Sequence, residues 1–282
     1  MTRHRLHRCL VSSLRRLALV ACALAPLSCQ HAGTFVRPAL TECGDGALER
    51  PLRVVSYNIR AGLSSSLYEV ANVIQEMDPD VLALQEVDRD VMRSGSVDQA
   101  QYLADTLGYH YAFAAAIRRD GGEYGVALFS RLPFQRAERV QLSAPVSNEP
   151  RVAIDATVCA GNKPLRVLAV HADVWPWSGT QHARELSEYV EPSVGQGVIV
   201  AGDLNATPDW PGPAALRHAG LNDLIAEFGG GSTFVGDPLK RRLDYIFVDG
   251  PLRARARAAG VINRRASDHL PIFAEIDLTQ GW

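Results

Sequence analysis

Val198-Ile199-Val200-Ala201-Gly202-Asp203-Leu204-Asn205-Ala206-Thr207-Pro208 sets a short apolar run directly ahead of a glycine, a carboxylate and an amide. Apolar residues without polar alternation predict a strand buried on both faces, and the polar turn that follows ends it. The same plan recurs elsewhere in the chain. Leu52 to Tyr57 is β-rich and stops at Asn58, Val81 to Leu84 leads through Gln85 to Glu86, and Val167 to Val170 stops at His171. If these strands share a sheet, their polar end residues converge on one rim, as a metal-assisted hydrolytic site requires.

Helical patterns separate the strands. Leu67, Val70, Ala71, Ile74 and Met77 recur at helical spacing until Asp78-Pro79, and Val97 to Leu107 repeats the pattern and closes at Gly108. Tyr109 to Ala116 predicts a strand, followed by a loop over Arg118 to Gly122. Tyr124 to Phe129, Ala137 to Leu142, Arg151 to Cys159 and Leu165 to His171 predict further strands, the last two joined as a hairpin across Gly161-Asn162-Lys163-Pro164. Thr180 to Val190 and Pro213 to His218 predict helices, and Leu243 to Val248, Ala254 to Val261 and Ile272 to Ile276 predict strands. Interleaved blocks in which strands outnumber helices give an α/β class of the α+β type, two packed sheets flanked by helices.

With 282 residues, 47% hydrophobic and 21% charged, the chain holds enough apolar material for one large domain, and no repeat period argues for a solenoid. Residues 1–29 differ: Arg3, Arg5, Arg8, Arg15 and Arg16 stand without any acid ahead of apolar Leu17 to Leu27, the plan of a signal peptide. Cys22 and Cys29 each sit in a context similar to a lipoprotein cleavage site, so an exported chain, periplasmic, lipid-anchored or secreted, is expected. Residues 30–50 suit a tether, and residues 51–282 the folded domain. Without the leader, 24 basic face 31 acidic residues, a net of −7, which disfavours general nucleic-acid affinity. Cys43 and Cys159 then remain, either as a disulfide or as two buried thiols.

Each polar residue has an ordinary alternative: Asn58 as a turn residue, Glu86 and Asp88 as solvated loop acids, Asp203 as a helix cap, His171 as a hydrogen-bonded strand terminus. Their order outweighs these. Ser56-Tyr57-Asn58-Ile59-Arg60, Leu84-Gln85-Glu86-Val87-Asp88, Val170-His171-Ala172-Asp173, Gly202-Asp203-Leu204-Asn205, Arg242-Leu243-Asp244-Tyr245 and Ser267-Asp268-His269-Leu270-Pro271 together resemble the endonuclease/exonuclease/phosphatase superfamily, from about Leu52 to Ile276.

The resemblance implies a four-layer α/β sandwich, two packed mixed sheets with helices outside. It also implies roles. Glu86 would be the principal ligand of Mg²⁺, or of Mn²⁺ in its place, with Asn58 and Asp268 helping. Asp203 would take the proton of the attacking water, Asn205 and His171 would face the phosphate, and His269, held by Asp244, would donate to a phosphoryl oxygen; His269 as the base is the alternative. Two departures stand out. Ala169-Val170-His171-Ala172 replaces the usual Asn-Thr-His-Leu, and Val126 stands where many relatives carry Asn, so a phosphate-side contact is either missing or supplied by Tyr124.

Beside His171, Trp175 and Trp177 suit a lipid interface or a stacked base, or pack on the next helix. Arg118-Arg119, Lys240-Arg241-Arg242 and Arg264-Arg265 would line a phosphate-bearing groove or be solvated loop charges, with Arg119 the favoured substrate contact. Arg253, Arg255 and Arg257 alternate as if along one strand face. A phosphodiester in a lipid head group or a small exported metabolite is the favoured substrate, with possible partners in the membrane; an extracellular nuclease and a non-catalytic binding protein are the alternatives.

Overall fold

Both faces of the central strands are covered, which is why their sequences run apolar without alternation. The computed structural model describes residues 33–44, 46–143 and 149–280, and residues 1–29, with Cys22 and Cys29, lie outside that range. In chain order the strands and helices are β1 (Phe35–Val36), β2 (Leu52–Asn58), α1 (Leu67–Met77), β3 (Val81–Arg89), α2 (Gln99–Leu107), β4 (His110–Arg119), β5 (Gly122–Ser130), β6 (Phe134–Gln141), β7 (Val152–Ala160), β8 (Lys163–His171), α3 (Pro176–Val190), β9 (Val198–Asp203), α4 (Pro211–His218), β10 (Asn222–Asp223), α5 (Leu224–Glu227), β11 (Asp244–Val248), α6 (Gly250–Arg253), β12 (Ala256–Val261) and β13 (Ile272–Ile276).

Among the described residues the strands form one sheet in the order β1-β4-β5-β3-β2-β13-β12 and a second in the order β10-β11-β9-β8-β7-β6. Each sheet is mixed and has a parallel pair at its centre, β2 with β3 and β8 with β9, and antiparallel neighbours outside. A helix crosses over between the two strands of each pair, α1 in the first and α3 in the second. Val54, Ala83, Ile154, Val167, Ala169, Ile199 and Ala201 meet in the core between the sheets. The outer face of the first sheet packs Val55, Leu82 and Leu84 on Val70, Ile74 and Leu103 of α1 and α2. That of the second packs Leu168, Val200 and Phe247 on Leu186, Val190 and Leu216 of α3 and α4. The result is the four-layer α/β sandwich, and each fully buried Leu, Ile or Val adds about 1.5–3 kcal/mol.

Four expectations are corrected. The stretch expected as a tether is attached to the body: β1 pairs with β4, Leu40 bridges Phe134, and Cys43 is disulfide-bonded to Cys159. The loop over Arg118 to Gly122 is a tight hairpin, with Asp120 and Gly121 at positive φ between β4 and β5. Helix α3 starts at Pro176, four residues before Thr180, because a proline suits the first helical turn, where its missing N–H costs nothing. Arg253 belongs to α6, which Asp249 caps by accepting from Leu252 N, and Arg255 precedes β12, so only Arg257 lies in a strand. Arg253 instead pairs with Glu227 and Arg257 with Asp277. Among the described residues no helix is long and apolar enough to cross a membrane.

Candidate active site

Register places the site. Asp203, the last residue of β9, lies opposite His171 on β8 and Asp244 on β11, so three neighbouring strands deliver three polar residues at one level. Gly202 makes that approach possible: a Cβ there would lie 2.0 Å from Val170 O and force β9 away from β8. From the other sheet, Asn58 ends β2. Glu86 sits in a β-bulge between Gln85 and Val87 with φ 57°, and bulges of this kind re-aim a side chain at a strand's end.

The Asn58 amide joins the two sheets. Its Nδ2 donates to Glu86 Oε1 at 3.0 Å and to Asp203 Oδ2 at 3.1 Å, while its Oδ1 accepts from Arg60 N at 3.0 Å, which fixes the orientation of the amide. Asn58 therefore aligns two carboxylates and turns its oxygen away from them. Asp203 Oδ1 accepts from Asn205 N at 2.8 Å, and Asn205 takes a left-handed φ of 49° to make that bond. His269, on the loop between β12 and β13, donates from Nδ1 to Asp244 Oδ2 at 2.8 Å and brings Nε2 to 3.7 Å from Asp203 Oδ2. Phe234 stacks on its ring in a tilted contact, and Thr233 Oγ1 accepts from the backbone N of Leu243 and Asp244.

Burial sets the charges. Asp203 is pushed up to about 7 by burial and by the neighbouring Asp244 charge. For His269, burial pulls the pKa down, but the carboxylates of Asp244 and Asp203 outweigh it and lift it to about 10, so the ring is an imidazolium. His171 goes the other way. Burial, with the nearby Arg151 charge, holds it well below 6.5 and uncharged.

The remaining sequence candidates are more dispersed. Asp268 is bound by Arg60 Nε at 3.2 Å and by its neighbour Ser267, so its link to the rim runs through Arg60, which follows Asn58 by two residues. Tyr124 is buried, with its hydroxyl against Arg151, and lines a small cavity with Val126 and His171. Arg119 lies at the tip of the β4–β5 hairpin in a separate polar cleft with Arg89, Arg118 and Glu123. Trp175 and Trp177, 63% and 85% exposed, stand at the start of α3, where Trp177 and Trp210 border a cavity of about 380 Å³.

Two residues join the site to which the sequence reading gave no role. Arg60 couples Asn58 to Asp268, and Arg151 reaches His171 Nδ1 with Nη1 at 3.1 Å. Arg151 had a signal in the sequence: counting back along the hairpin of β7 and β8 sets the first residues of β7 beside His171.

Glu86, Asp203 and Asp244 bring three carboxylates to the rim, and Asp244 Oδ1 is buried without a hydrogen-bond partner. The carboxylates of Asp203 and Asp244 also offer oxygens within 4.8 Å of each other. Hard oxygen donors with surplus negative charge fit a divalent cation. The same arrangement suits a reaction that adds charge at phosphorus while a carboxylate takes the proton of an attacking water. Fold and site together define a metal-dependent hydrolase of phosphoester bonds.

The model of the Endonuclease/Exonuclease/phosphatase family matches residues 55–269, and the chain belongs to that family. It is 28% identical over 247 residues to uncharacterized protein YbhP of Escherichia coli K12, covering 80% of this chain and 96% of the relative. To exodeoxyribonuclease III of Haemophilus influenzae it is 25% identical over 281 residues, covering 79% of this chain and 99% of the relative. The solved mannosyl-6-phosphatase Bt3783 of Bacteroides thetaiotaomicron is similar in fold, with TM-score 0.66 at 20% identity over 80% of this chain and 99% of that one.

Proposed function

We propose that the protein is an exported, Mg²⁺-dependent phosphoesterase that cleaves a phosphodiester in a lipid head group or a small exported metabolite. The substrate class is supported by five arginines that already hold carboxylate partners. Arg242 is buried on Asp223, Arg241 is bound by Asp237, Arg264 by Glu76, Arg253 by Glu227 and Arg257 by Asp277. Guanidinium groups already neutralised by carboxylates offer little to a polyphosphate backbone, on which nucleic-acid affinity rests. Exposed Trp175 and Trp177 suit an amphipathic interface, and the Cys43–Cys159 disulfide suits an oxidising compartment.

The metal would be held by Glu86, kept in line by Asn58, with Asp268 reached through water. When bound, Mg²⁺, or Mn²⁺ in its place, neutralises charge on the phosphoryl oxygens. The side chains do the rest. Asp203, poised near neutrality, accepts the proton of the attacking water. Asn205 and His171 donate to phosphoryl oxygens, and the His269 cation, sustained by Asp244, donates to the oxygen that gains charge.

The test compares bis-(p-nitrophenyl) phosphate, sphingomyelin, phosphoinositides, plasmid DNA and RNA side by side, with Mg²⁺ and with EDTA. Turnover of the small diester and of a head group, abolished by EDTA, is expected. Preferential cleavage of DNA or RNA would replace the substrate class with that of an extracellular nuclease, which the exodeoxyribonuclease III relative supports.

A further inference from the structure

We infer that Arg151 is a positioning residue: by donating to His171 Nδ1 it holds that ring as the Nε2–H tautomer, a fixed hydrogen-bond donor. The inference rests on the proposed phosphoesterase reading only for where that donor is used.

A guanidinium has five N–H donors and no acceptor. Arg151 Nη1 lies 3.1 Å from His171 Nδ1, so Nδ1 must present its lone pair, and in a neutral ring the proton then sits on Nε2. Both residues are buried, with Arg151 5% exposed, and Glu149 grips the same Nη1 at 2.9 Å. The cavity wall around them is formed by Ala116, Gly125, Val126 and Val152 together with the Tyr124 hydroxyl. Val126 is apolar where a polar side chain would compete for Nδ1.

On the other side of the ring, His171 Nε2 lies 3.2 Å from Asn205 Nδ2. That nitrogen donates to Ala172 O at 3.0 Å, which identifies the NH₂ end of the amide. Two donors therefore face each other, and Asp203 Oδ2, at 3.8 Å from Nε2, is too distant to satisfy the imidazole. An oxygen seated beside the pair, within hydrogen-bond reach of both nitrogens, accepts from both. The Arg151 contact thus prepares a two-donor seat for one phosphoryl oxygen and bars His171 from serving as a base through Nε2.

The test reads the tautomer directly by long-range ¹H–¹⁵N correlation on the ¹⁵N-labelled full chain without substrate, with His171→Gln identifying the resonances. Wild-type protein should show an unprotonated Nδ1 and a protonated Nε2. Arg151→Lys should keep that pattern, whereas Arg151→Met should shift it toward Nδ1–H. A wild-type ring protonated on Nδ1 overturns the inference whether or not any substrate is cleaved, and so does an unchanged tautomer in Arg151→Met. In kinetics, Arg151→Met should lower kcat by about 10–100-fold, the usual cost of losing the partner that orients a functional histidine. In a His171→Gln background the same change should cost nothing further. A full additional loss there would mean that Arg151 acts on the substrate itself, which also overturns the assignment.

Discussion

Replacing Asp244 by Asn tests the reading of His269 as a standing cation. Asp244 Oδ2 is 2.8 Å from His269 Nδ1, both residues are buried, and burial alone would pull the imidazole below its ordinary 6.5. The surrounding carboxylates of Asp244, Asp203 and Asp268 lift it to about 10 instead, with Asp244 the largest of the three. At ~1.4 kcal/mol per tenfold change in proton affinity, that lift is worth about 5 kcal/mol in favour of the cation. If the charge is used fully in the transition state, its loss slows turnover by about 10³- to 10⁴-fold. The sign follows from the direction of the shift. In the wild type the imidazolium persists until pH rises through about 10, and so does its contribution to stability, which is complete below 6.5. In Asp244→Asn the ring loses the largest of its carboxylate supports and titrates below its wild-type value, so the alkaline limb of the pH–rate profile should move toward acid. The assay is hydrolysis of bis-(p-nitrophenyl) phosphate from pH 5 to 10, with the His269 ring followed by NMR in the same buffers. A variant within tenfold of wild type, with an unchanged pH profile, would refute the assignment of His269 as the charged donor.

Asp203→Asn should lose turnover by at least about 10³-fold yet melt higher in EDTA at pH 8, by about 1–2 kcal/mol, because a carboxylate whose pKa is raised to about 7 destabilises the fold once ionised. At pH 5 the stability gain should shrink; equal urea midpoints for the two proteins at pH 8 would contradict it. Glu86→Gln should raise the Mg²⁺ concentration for half-maximal activity at least about tenfold, and EDTA should silence the wild type reversibly; turnover indifferent to chelation rules out the metal assignment. Cys43→Ser should cost about 2–5 kcal/mol in urea melts, since the bridge closes a separation of 116 residues, while activity per folded molecule holds. Wild-type stability after the substitution would mean that the bridge does not form in solution.

The parts of the fold visible in the sequence are those governed by local physics. Val198 to Ala201 and Val81 to Leu84 read as strands because both sheet faces are covered, and Ser66 and Asp78 bracket α1 through a capping box and a left-handed C-cap. Asn58, Glu86, His171, Asp203 and Asn205 were legible for the same reason, each closing or following such a strand. What was hidden depends on distant partners. β1 has two residues and exists only because β4 offers it an edge. Asn58 carries no mark that its amide nitrogen, and not its oxygen, faces Glu86; Arg60 N decides that. The three alternating arginines read as a strand face because period two matched, but Asp249 and Pro251 start a helix there.

Backbone strain at the rim is the remaining link between stability and function. Glu86 holds φ 57° and Asn205 holds φ 49°, a region where asparagine is tolerated but glutamate costs about 1–2 kcal/mol. That cost persists because β5 continues the ladder on both sides of the bulge, pairing Gln85 with Val126 and Val87 with Gly125. If the strain is local to Glu86, glycine there relieves it and alanine does not. Glu86→Gly should therefore be more stable than Glu86→Ala by about 1 kcal/mol, even after the entropy that glycine adds to the unfolded chain, with both variants inactive. Equal urea midpoints for the pair would show that the bulge imposes no penalty, and that Glu86 is held on the rim by its hydrogen bond from Asn58 alone.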